Sequence, residues 1–203
     1  MKQLSLFRLG LVFVILGSSL IACTQTVKPE PEVSVQSSMQ SAKDAYQRKD
    51  YKLAAEWFRK AADKGDAKAQ YNLGMAYDTG QGVTQDYKQA AEWYRKAAVQ
   101  GLAQAQNNLG ILYKQGQGVP QDNGQAAEWF RKAADQGFAQ AQHNLGLAYR
   151  DGLGVKQDKF LAIQLLRKAV LQGDADAQAD LNQLKTKANA AAKKAKPVVP
   201  TPK

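Results

Sequence analysis

Few side chains in this chain of 203 residues are suited to catalysis or metal binding. The chain has one histidine, His143, and one cysteine, Cys23. A transition-metal site needs several nitrogen, sulfur or carboxylate ligands close together, and a lone histidine without cysteines or a paired carboxylate does not supply them. No motif of a serine or cysteine hydrolase surrounds His143. We therefore expect no catalytic residue, no metal site and no cofactor.

Paired glycines also suggest a site, because Gly-rich loops cradle phosphates in nucleotide-binding proteins. The segment Gly80-Gln81-Gly82-Val83 recurs at 116–119 and, as Gly-Leu-Gly-Val, at 152–155. The phosphate-binding version requires a preceding strand and either a third glycine or a Lys-Ser pair. These are lacking here, so the pattern favours a tight loop between helices, with its valine in an apolar seam.

The elements that would position these residues form an internal repeat of 36 residues. The segment Ala-Ala-Glu-Trp-Phe-Arg-Lys-Ala-Ala at Ala54 returns almost unchanged at Ala90 and Ala126, and a degenerate copy begins at Ala162. A fixed period of this length indicates a solenoid of stacked units. Solenoids usually present an extended surface rather than enclose a reaction.

The first helix of each repeat, helix A, is predicted over Ala67–Asp78, Ala103–Lys114 and Ala139–Arg150. Four types of residue are kept on one face of it: Ala69, Ala105 and Ala141; Leu73, Leu109 and Leu145; Gly74, Gly110 and Gly146; Tyr77, Tyr113 and Tyr149. A glycine inside a helix costs about 1 kcal/mol relative to alanine. Its recurrence therefore predicts a close approach by the second helix of the same hairpin.

The second helix, helix B, is predicted over Tyr87–Gln100, Asn123–Gln136 and Lys159–Gln172. Asp86, Asp122 and Asp158 precede it as N-caps. Gln89 and Gln125, three residues after the first two caps, predict capping boxes. Each glutamate of the repeated segment lies four residues before a lysine, which predicts an ion pair on the outer surface. Glycines at 65, 101, 137 and 173 fit helix ends.

The pattern from Ala69-Gln70-Tyr71-Asn72-Leu73-Gly74 through the Gly-x-Gly-Val loop to Lys96-Ala97-Ala98 and Gly101 resembles the Sel1-like repeat, a branch of the tetratricopeptide-like solenoids. The resemblance implies an all-α fold, a right-handed α-solenoid of antiparallel helix hairpins over residues 35–187. The hairpins would span 35–65, 66–101, 102–137 and 138–173, and a capping helix would span 174–187. The first hairpin lacks the Gly-x-Gly-Val insertion.

In solenoids of this type helix A lines the inner, concave surface, so the resemblance also implies a binding face for a partner. The positions that would face it are Lys68, Tyr71, Asn72, Met75, Asp78 and Thr79; Gln104, Asn107, Asn108, Ile111, Lys114 and Gln115; and Gln140, His143, Asn144, Leu147, Arg150 and Asp151. Most differ between copies, whereas one asparagine, at 72, 108 and 144, does not. Two interpretations of it stay open: it holds the backbone of an extended peptide, or it makes a structural hydrogen bond.

The chain termini have the composition of an export signal and a tether at the N-terminus and a tail at the C-terminus. Residues 1–22 have a basic start and an apolar run too short for a membrane span, which is typical of a signal peptide. The segment Leu20-Ile21-Ala22-Cys23 resembles a bacterial lipobox, which implies lipidation of Cys23. Residues 23–34 would form a tether, and residues 188–203 an Ala/Lys/Pro-rich tail. We expect an exported protein anchored to the bacterial envelope, at the outer membrane rather than the inner.

The charge distribution bears on possible partners. Of the net charge of +10, two positive charges lie in the first 22 residues and six lie from Lys185 onward, which leaves +2 for residues 23–184. The repeat body is thus nearly neutral, and the export signal disfavours nucleic acid as a partner. The favoured hypothesis is a monomeric scaffold that binds an envelope protein. Binding of peptidoglycan or an anionic polysaccharide by the Lys-rich tail is the alternative, and an enzyme is least favoured.

Overall fold

The computed structural model of the chain describes residues 34–194, with side chains as far as Thr186. The signal peptide at 1–22, Cys23, the tether up to residue 33 and residues 195–203 of the tail lie outside the described residues. Within the described part, all regular structure is helical, with nine helices and no strand.

The helices follow one another as four hairpins and a final single helix. They are α1 Val35–Gln47, α2 Tyr51–Asp63, α3 Ala67–Thr79, α4 Tyr87–Val99, α5 Ala103–Gln115, α6 Asn123–Asp135, α7 Ala139–Asp151, α8 Lys159–Leu171 and α9 Ala175–Lys194. Each of the four pairs packs along its length, and each helix B then packs on the helix A that follows it. This is the all-α solenoid expected from the repeat. The final helix α9 runs past the predicted end of the cap at 187 and into the predicted tail.

The core is built mainly from alanine, with one large side chain for each hairpin. Phe58, Tyr94, Phe130 and Leu166 occupy equivalent positions on the four B helices and are all buried. They pack beside the leucine of helix A, such as Leu109, which is fully buried. Small side chains over so much of the interface require the helix axes to lie close together.

The glycine inside helix A lies where this approach is tightest. A Cβ placed on Gly110 would lie 2.7 Å from Cε1 of Phe130 and 3.2 Å from the carbonyl oxygen of Ala126, both on α6. Gly74 meets Tyr94 of α4 in the same way, at 2.6 Å from Cδ1. The predicted close approach within the hairpin is therefore confirmed, and in the first hairpin Ala42 takes this place, fully buried.

The second glycine of the Gly-x-Gly-Val loop touches the preceding hairpin rather than a ligand. Gly118 has φ +68°, and a Cβ there would lie 2.2 Å from the carbonyl carbon and oxygen of Tyr87, at the start of α4. Gly82 and Gly154 make the same contact with Tyr51 and Asn123. The loop thus fixes the stacking of consecutive hairpins, and its valine is half-buried, as predicted.

Two local predictions for helix B are wrong, although the aspartate N-caps are confirmed. The backbone N–H of Asp86 donates to the carbonyl oxygen of Tyr77, so it is not available to Gln89 and no capping box forms. Among the described residues, no ion pair joins the glutamate and lysine of helix B. Instead, Nζ of Lys96 lies 3.6 Å from the centre of the Trp93 ring. The lysine thus gains a cation–π contact on its own helix.

Polar side chains also connect consecutive hairpins, and the same hydrogen bonds recur in each repeat. Oε1 of Gln106 on α5 accepts a hydrogen bond of 2.8 Å from Gln136 at the end of α6, and its Nε2 donates to the carbonyl oxygen of Ala98 on α4. Gln70 and Gln142 make the equivalent pairs of bonds. In addition, Arg95 donates to the hydroxyl of Tyr113 at 2.6 Å. The interface between hairpins is therefore fixed by hydrogen bonds as well as by apolar contact.

We predict that Gly118→Ala lowers the free energy of unfolding by about 3 kcal/mol or more, because it adds a clash with backbone to a strained φ. The matched control is Gly101→Ala. Gly101 has φ +94°, and a Cβ there would meet no atom within 4 Å, so this variant carries only the left-handed strain of about 1–2 kcal/mol. Urea denaturation followed by circular dichroism measures both. Equal losses would contradict the proposed role of the loop.

Candidate functional site

Three cavities lie along the A helices and are lined in part by B helices and turns. The first pocket, of about 370 Å³, lies among α1, α2 and α3. The second pocket, of about 80 Å³, lies among α5, α6 and α7. An open trough of about 590 Å³ lies among α5, α7 and the turn before α9. We call this surface the A-helix groove.

Most side chains expected at a binding face line these cavities. They are Asn72 and Met75 in the first pocket; Lys114, Asn144, Leu147, Arg150 and Asp151 in the second; and Asn107, Asn108, Ile111, Gln140, His143 and Asn144 in the trough. Lys68 and Gln104 are exposed but line none of the three. Tyr71 is half-buried against Tyr94, with ring centres 5.8 Å apart. Asn107 differs from the expectation of an exposed position, because only 2 % of its surface is accessible.

A chain of hydrogen bonds runs along the floor of the groove. Nδ2 of Asn144 donates to Oδ1 of Asn107 at 2.9 Å, and Asn107 donates to Asn108 at 3.3 Å. Asn108 donates to the hydroxyl of Tyr94 at 3.2 Å, and that hydroxyl donates to Oδ2 of Asp78 at 3.0 Å. The chain links α7, α5, α4 and α3, so it connects three successive hairpins.

The titration of two groups reflects their place in this chain. Burial raises the pKa of Asp78, and the hydrogen bond from Tyr94 opposes the rise without cancelling it. The pKa of Tyr94 is raised well above its ordinary value, first by burial and then by the charge of Asp78. Tyr94 therefore stays protonated and donates its hydrogen bond, as the chain requires.

The repeated asparagine has different surroundings in each copy. The side-chain N–H groups of Asn108 and Asn144 donate hydrogen bonds within the protein, as described above. Asn72 has no hydrogen-bond partner among the described residues, and its side chain lines the first pocket. Asn108 and Asn144 therefore make structural hydrogen bonds, whereas the binding of a peptide backbone by the amide of Asn72 stays a prediction.

At the far end of the groove, charged side chains connect the final helix α9 to α7. Asp180 of α9 lies 2.8 Å from Nε2 of His143 and 2.6 Å from Nη1 of Arg150, both on α7. Asp174, the residue that caps α9, lies 3.7 Å from Nδ1 of His143. Burial opposes ionisation of Asp180, but the hydrogen bonds from His143 and Arg150 outweigh it and hold its pKa below the ordinary value.

Comparison with known proteins gives this architecture a family. The model of the Sel1 repeat matches residues 44–66, 67–102, 103–138 and 139–174, which is more than half of the chain. The chain belongs to the Sel1 repeat family. Proteins built from Sel1 repeats generally mediate interactions between proteins. The first match is short, in keeping with a first hairpin that has a tight turn at Arg48–Asp50 in place of the loop.

Several solved structures resemble this Sel1 repeat chain. A protective antigen present in uropathogenic Escherichia coli strains, which displays an SLR fold, is 39% identical with a TM-score of 0.74 over 77% of this chain. A Sel1 repeat protein from Oxalobacter formigenes is 34% identical with a TM-score of 0.73 over 80% of this chain. This chain spans 34% and 66% of the lengths of those two proteins.

A more distant similarity concerns the fold alone. Cysteine-rich protein B of Helicobacter pylori is 23% identical, with a TM-score of 0.50, and the match spans 69% of this chain and 94% of the Helicobacter protein. No curated protein matches this chain in sequence.

Two functional features were missed at the level of sequence. Asp180 lies 36 residues after Asn144, so it holds the repeated asparagine position in the final helix. Its place beside Leu181, which holds the repeated leucine position, is the signal that could have identified it as a groove residue. Tyr94 stands where the other copies have Phe58 and Phe130, and this single added hydroxyl is the corresponding signal in the sequence.

The described residues hold no group of three or more histidine, cysteine, aspartate or glutamate side chains that could bind a metal ion. Among the same residues, every helix is too short or too polar to cross a membrane.

We predict that Asp180→Asn lowers the free energy of unfolding at pH 7 by about 1 kcal/mol, because the amide keeps an acceptor but loses the charge that His143 and Arg150 contact. A carboxylate whose pKa is lower in the folded chain than in the unfolded chain stabilises the fold at pH values above the unfolded pKa, which is near 4. This contribution is lost as the pH falls through the folded pKa. The difference between variant and wild type should therefore shrink below about pH 4.

The matched control for this prediction is Asp176→Asn, an exposed carboxylate on the same helix. It should lower the free energy of unfolding at pH 7 by less than Asp180→Asn does, because it removes only an exposed charge in the first turn of α9. Urea denaturation at pH 7, 5, 4 and 3 measures both variants. A deficit of Asp180→Asn that stays constant from pH 7 to pH 3 would rule out the ionic contribution.

Proposed function

We propose that this chain is an interaction scaffold of the bacterial envelope that binds a segment of another protein in the A-helix groove. One observation carries the proposal: the side chains that line the groove differ between copies, while the frame beneath them repeats. The frame residues are buried or hydrogen-bonded. Exposed or half-buried side chains such as Lys114, Gln140 and Leu147 face the cavities instead. A shared frame with a varied lining suits recognition of one particular partner.

The proposal includes a lipid anchor at Cys23, outside the described residues. Its support is the order of basic start, apolar run, small residue and cysteine in residues 1–23. Acyl chains partition into a bilayer at about 0.8 kcal/mol per buried methylene, and two or more chains give durable attachment. The anchor would hold the groove close to the membrane, and the outer membrane is the proposed location.

We predict that Lys114→Trp with Gln140→Trp lowers recovery of the bound partner at least tenfold. Both side chains are exposed and line the groove, so two indoles obstruct it whatever the charge of the partner. The matched control is Lys88→Trp with Gln164→Trp, which makes the same chemical changes at exposed positions on B helices. Crosslinking in cells, followed by purification and quantitative mass spectrometry, measures recovery.

The control pair should recover the partner at the wild-type level. If the groove pair does so too, the groove is not the binding surface, and the lysine-rich segment after Lys185 becomes the favoured one.

We predict that Cys23→Ser abolishes attachment of lipid to the protein, because serine cannot carry the thioether-linked lipid. Wild type grown with a labelled fatty acid should carry the label, and the variant should not. Thr24→Ser serves as the control and should behave as wild type. A Cys23→Ser protein that still takes up the fatty-acid label would contradict lipid anchoring at this residue.

A further inference from the structure

The first and second pockets are the same structural position, two repeats apart. Their linings correspond at an offset of 72 residues: Tyr51 with Asn123, Phe58 with Phe130, and Asn72 with Asn144. Each pocket lies between the two helices of one hairpin and helix A of the next. The groove therefore offers a repeating series of places for a side chain.

The middle place in this series is closed by a hydroxyl group. Tyr94 stands where Phe58 and Phe130 stand in the pockets, and it is fully buried. Its hydroxyl bridges Asp78 and Asn108, at 3.0 and 3.2 Å. Asn108 is the counterpart of Asn72 in the first pocket, and Asp78 is the counterpart of Lys114 in the second. The hydroxyl thus joins Asp78 to Asn108, a bridge that the phenylalanines of the first and second pockets cannot make.

The first pocket combines aromatic walls with one free cation. Tyr46 and Tyr51 form an edge-to-face pair with ring centres 5.2 Å apart, and 45% of Tyr46 is exposed. Phe58 and Met75 complete the apolar lining. Lys43 lines the pocket, is exposed, and has no acidic partner among the described residues. The amide of Asn72 is likewise unpaired there.

We propose that the first pocket receives an aromatic side chain that lies next to an acidic residue in the partner segment. This rests on the proposed function and names the chemistry of its partner. The aromatic ring packs against Tyr46, Tyr51 and Phe58, as aromatic pairs favour. The neighbouring carboxylate pairs with Lys43. The volume of about 370 Å³ suits an aromatic group, whereas the second pocket, at about 80 Å³, admits at most a small aliphatic one.

The tyrosine at position 94 suggests a substitution that should close the first pocket. Phe58→Tyr should place a hydroxyl in the first pocket as Tyr94 does in the middle one, with Asn72 available to donate a hydrogen bond to it. Phe130→Tyr makes the same chemical change in the second pocket and leaves the first one open. Lys43→Ala removes the cation at an exposed position, where the fold does not depend on it.

The probe is N-acetyl-Phe-Glu-amide, titrated into the isotope-labelled full chain and followed by nuclear magnetic resonance. We expect the side-chain amide of Asn72 to shift on binding. Phe58→Tyr should weaken binding at least tenfold, and Phe130→Tyr should leave it unchanged. Lys43→Ala should weaken binding about threefold or more, as should replacement of the probe by N-acetyl-Phe-Gln-amide.

Wild-type affinity in Phe58→Tyr, or shifts that exclude Asn72, would overturn the proposal. So would equal binding of the glutamate and glutamine probes, which would remove the role of Lys43. The outcome is separate from that of the groove test, because Lys114 and Gln140 lie outside the first pocket. If the Lys114→Trp, Gln140→Trp variant loses the partner but the probe does not bind the wild-type chain, the proposed scaffold function stands and the proposed role of the first pocket is rejected.

Discussion

The distance between neighbouring helices is set by two glycines in each full repeat, and the rest of the structure depends on it. One glycine lets the two helices of a hairpin approach, as Gly110 does against Phe130. The other lets a loop touch the backbone of the preceding hairpin, as Gly118 does against Tyr87. A Cβ at either place would overlap its neighbour, and dense packing leaves little room to move aside. The alanine core is adequate only because these contacts keep the helices close.

The same spacing creates the groove and its polar floor. Because consecutive hairpins pack closely, Asn144 reaches Asn107 and Asn108 reaches Tyr94 across hairpin boundaries. These bonds satisfy half-buried polar groups and connect the hairpins. They also decide which groups remain for a partner, since an amide that already donates within the protein is less available to a ligand. The unpaired polar groups of this groove are therefore distributed unevenly along its length.

Most of the fold could be predicted from the sequence, because helix positions depend on local patterns. The helices of the three full repeats begin and end within one residue of the predicted bounds, and their aspartate caps act as expected. The failures have a common cause. Gln89 loses its capping partner to the carbonyl of Tyr77, and Lys96 finds the ring of Trp93. Each local rule was correct in isolation, but a competing group in the folded chain was closer.

By itself, the sequence determined the period, the helices, the tight contacts and the family, since all four are written in residues that repeat. Only the tertiary structure decided the state of the repeated asparagine. Asn72, Asn108 and Asn144 have similar local sequences, but Asn108 faces the hydroxyl of Tyr94 and Asn144 faces Asn107. Likewise, His143 and Arg150 are held by Asp180, which lies at least 30 residues away in the chain. Such pairs depend on neighbours from other hairpins, which no local pattern specifies.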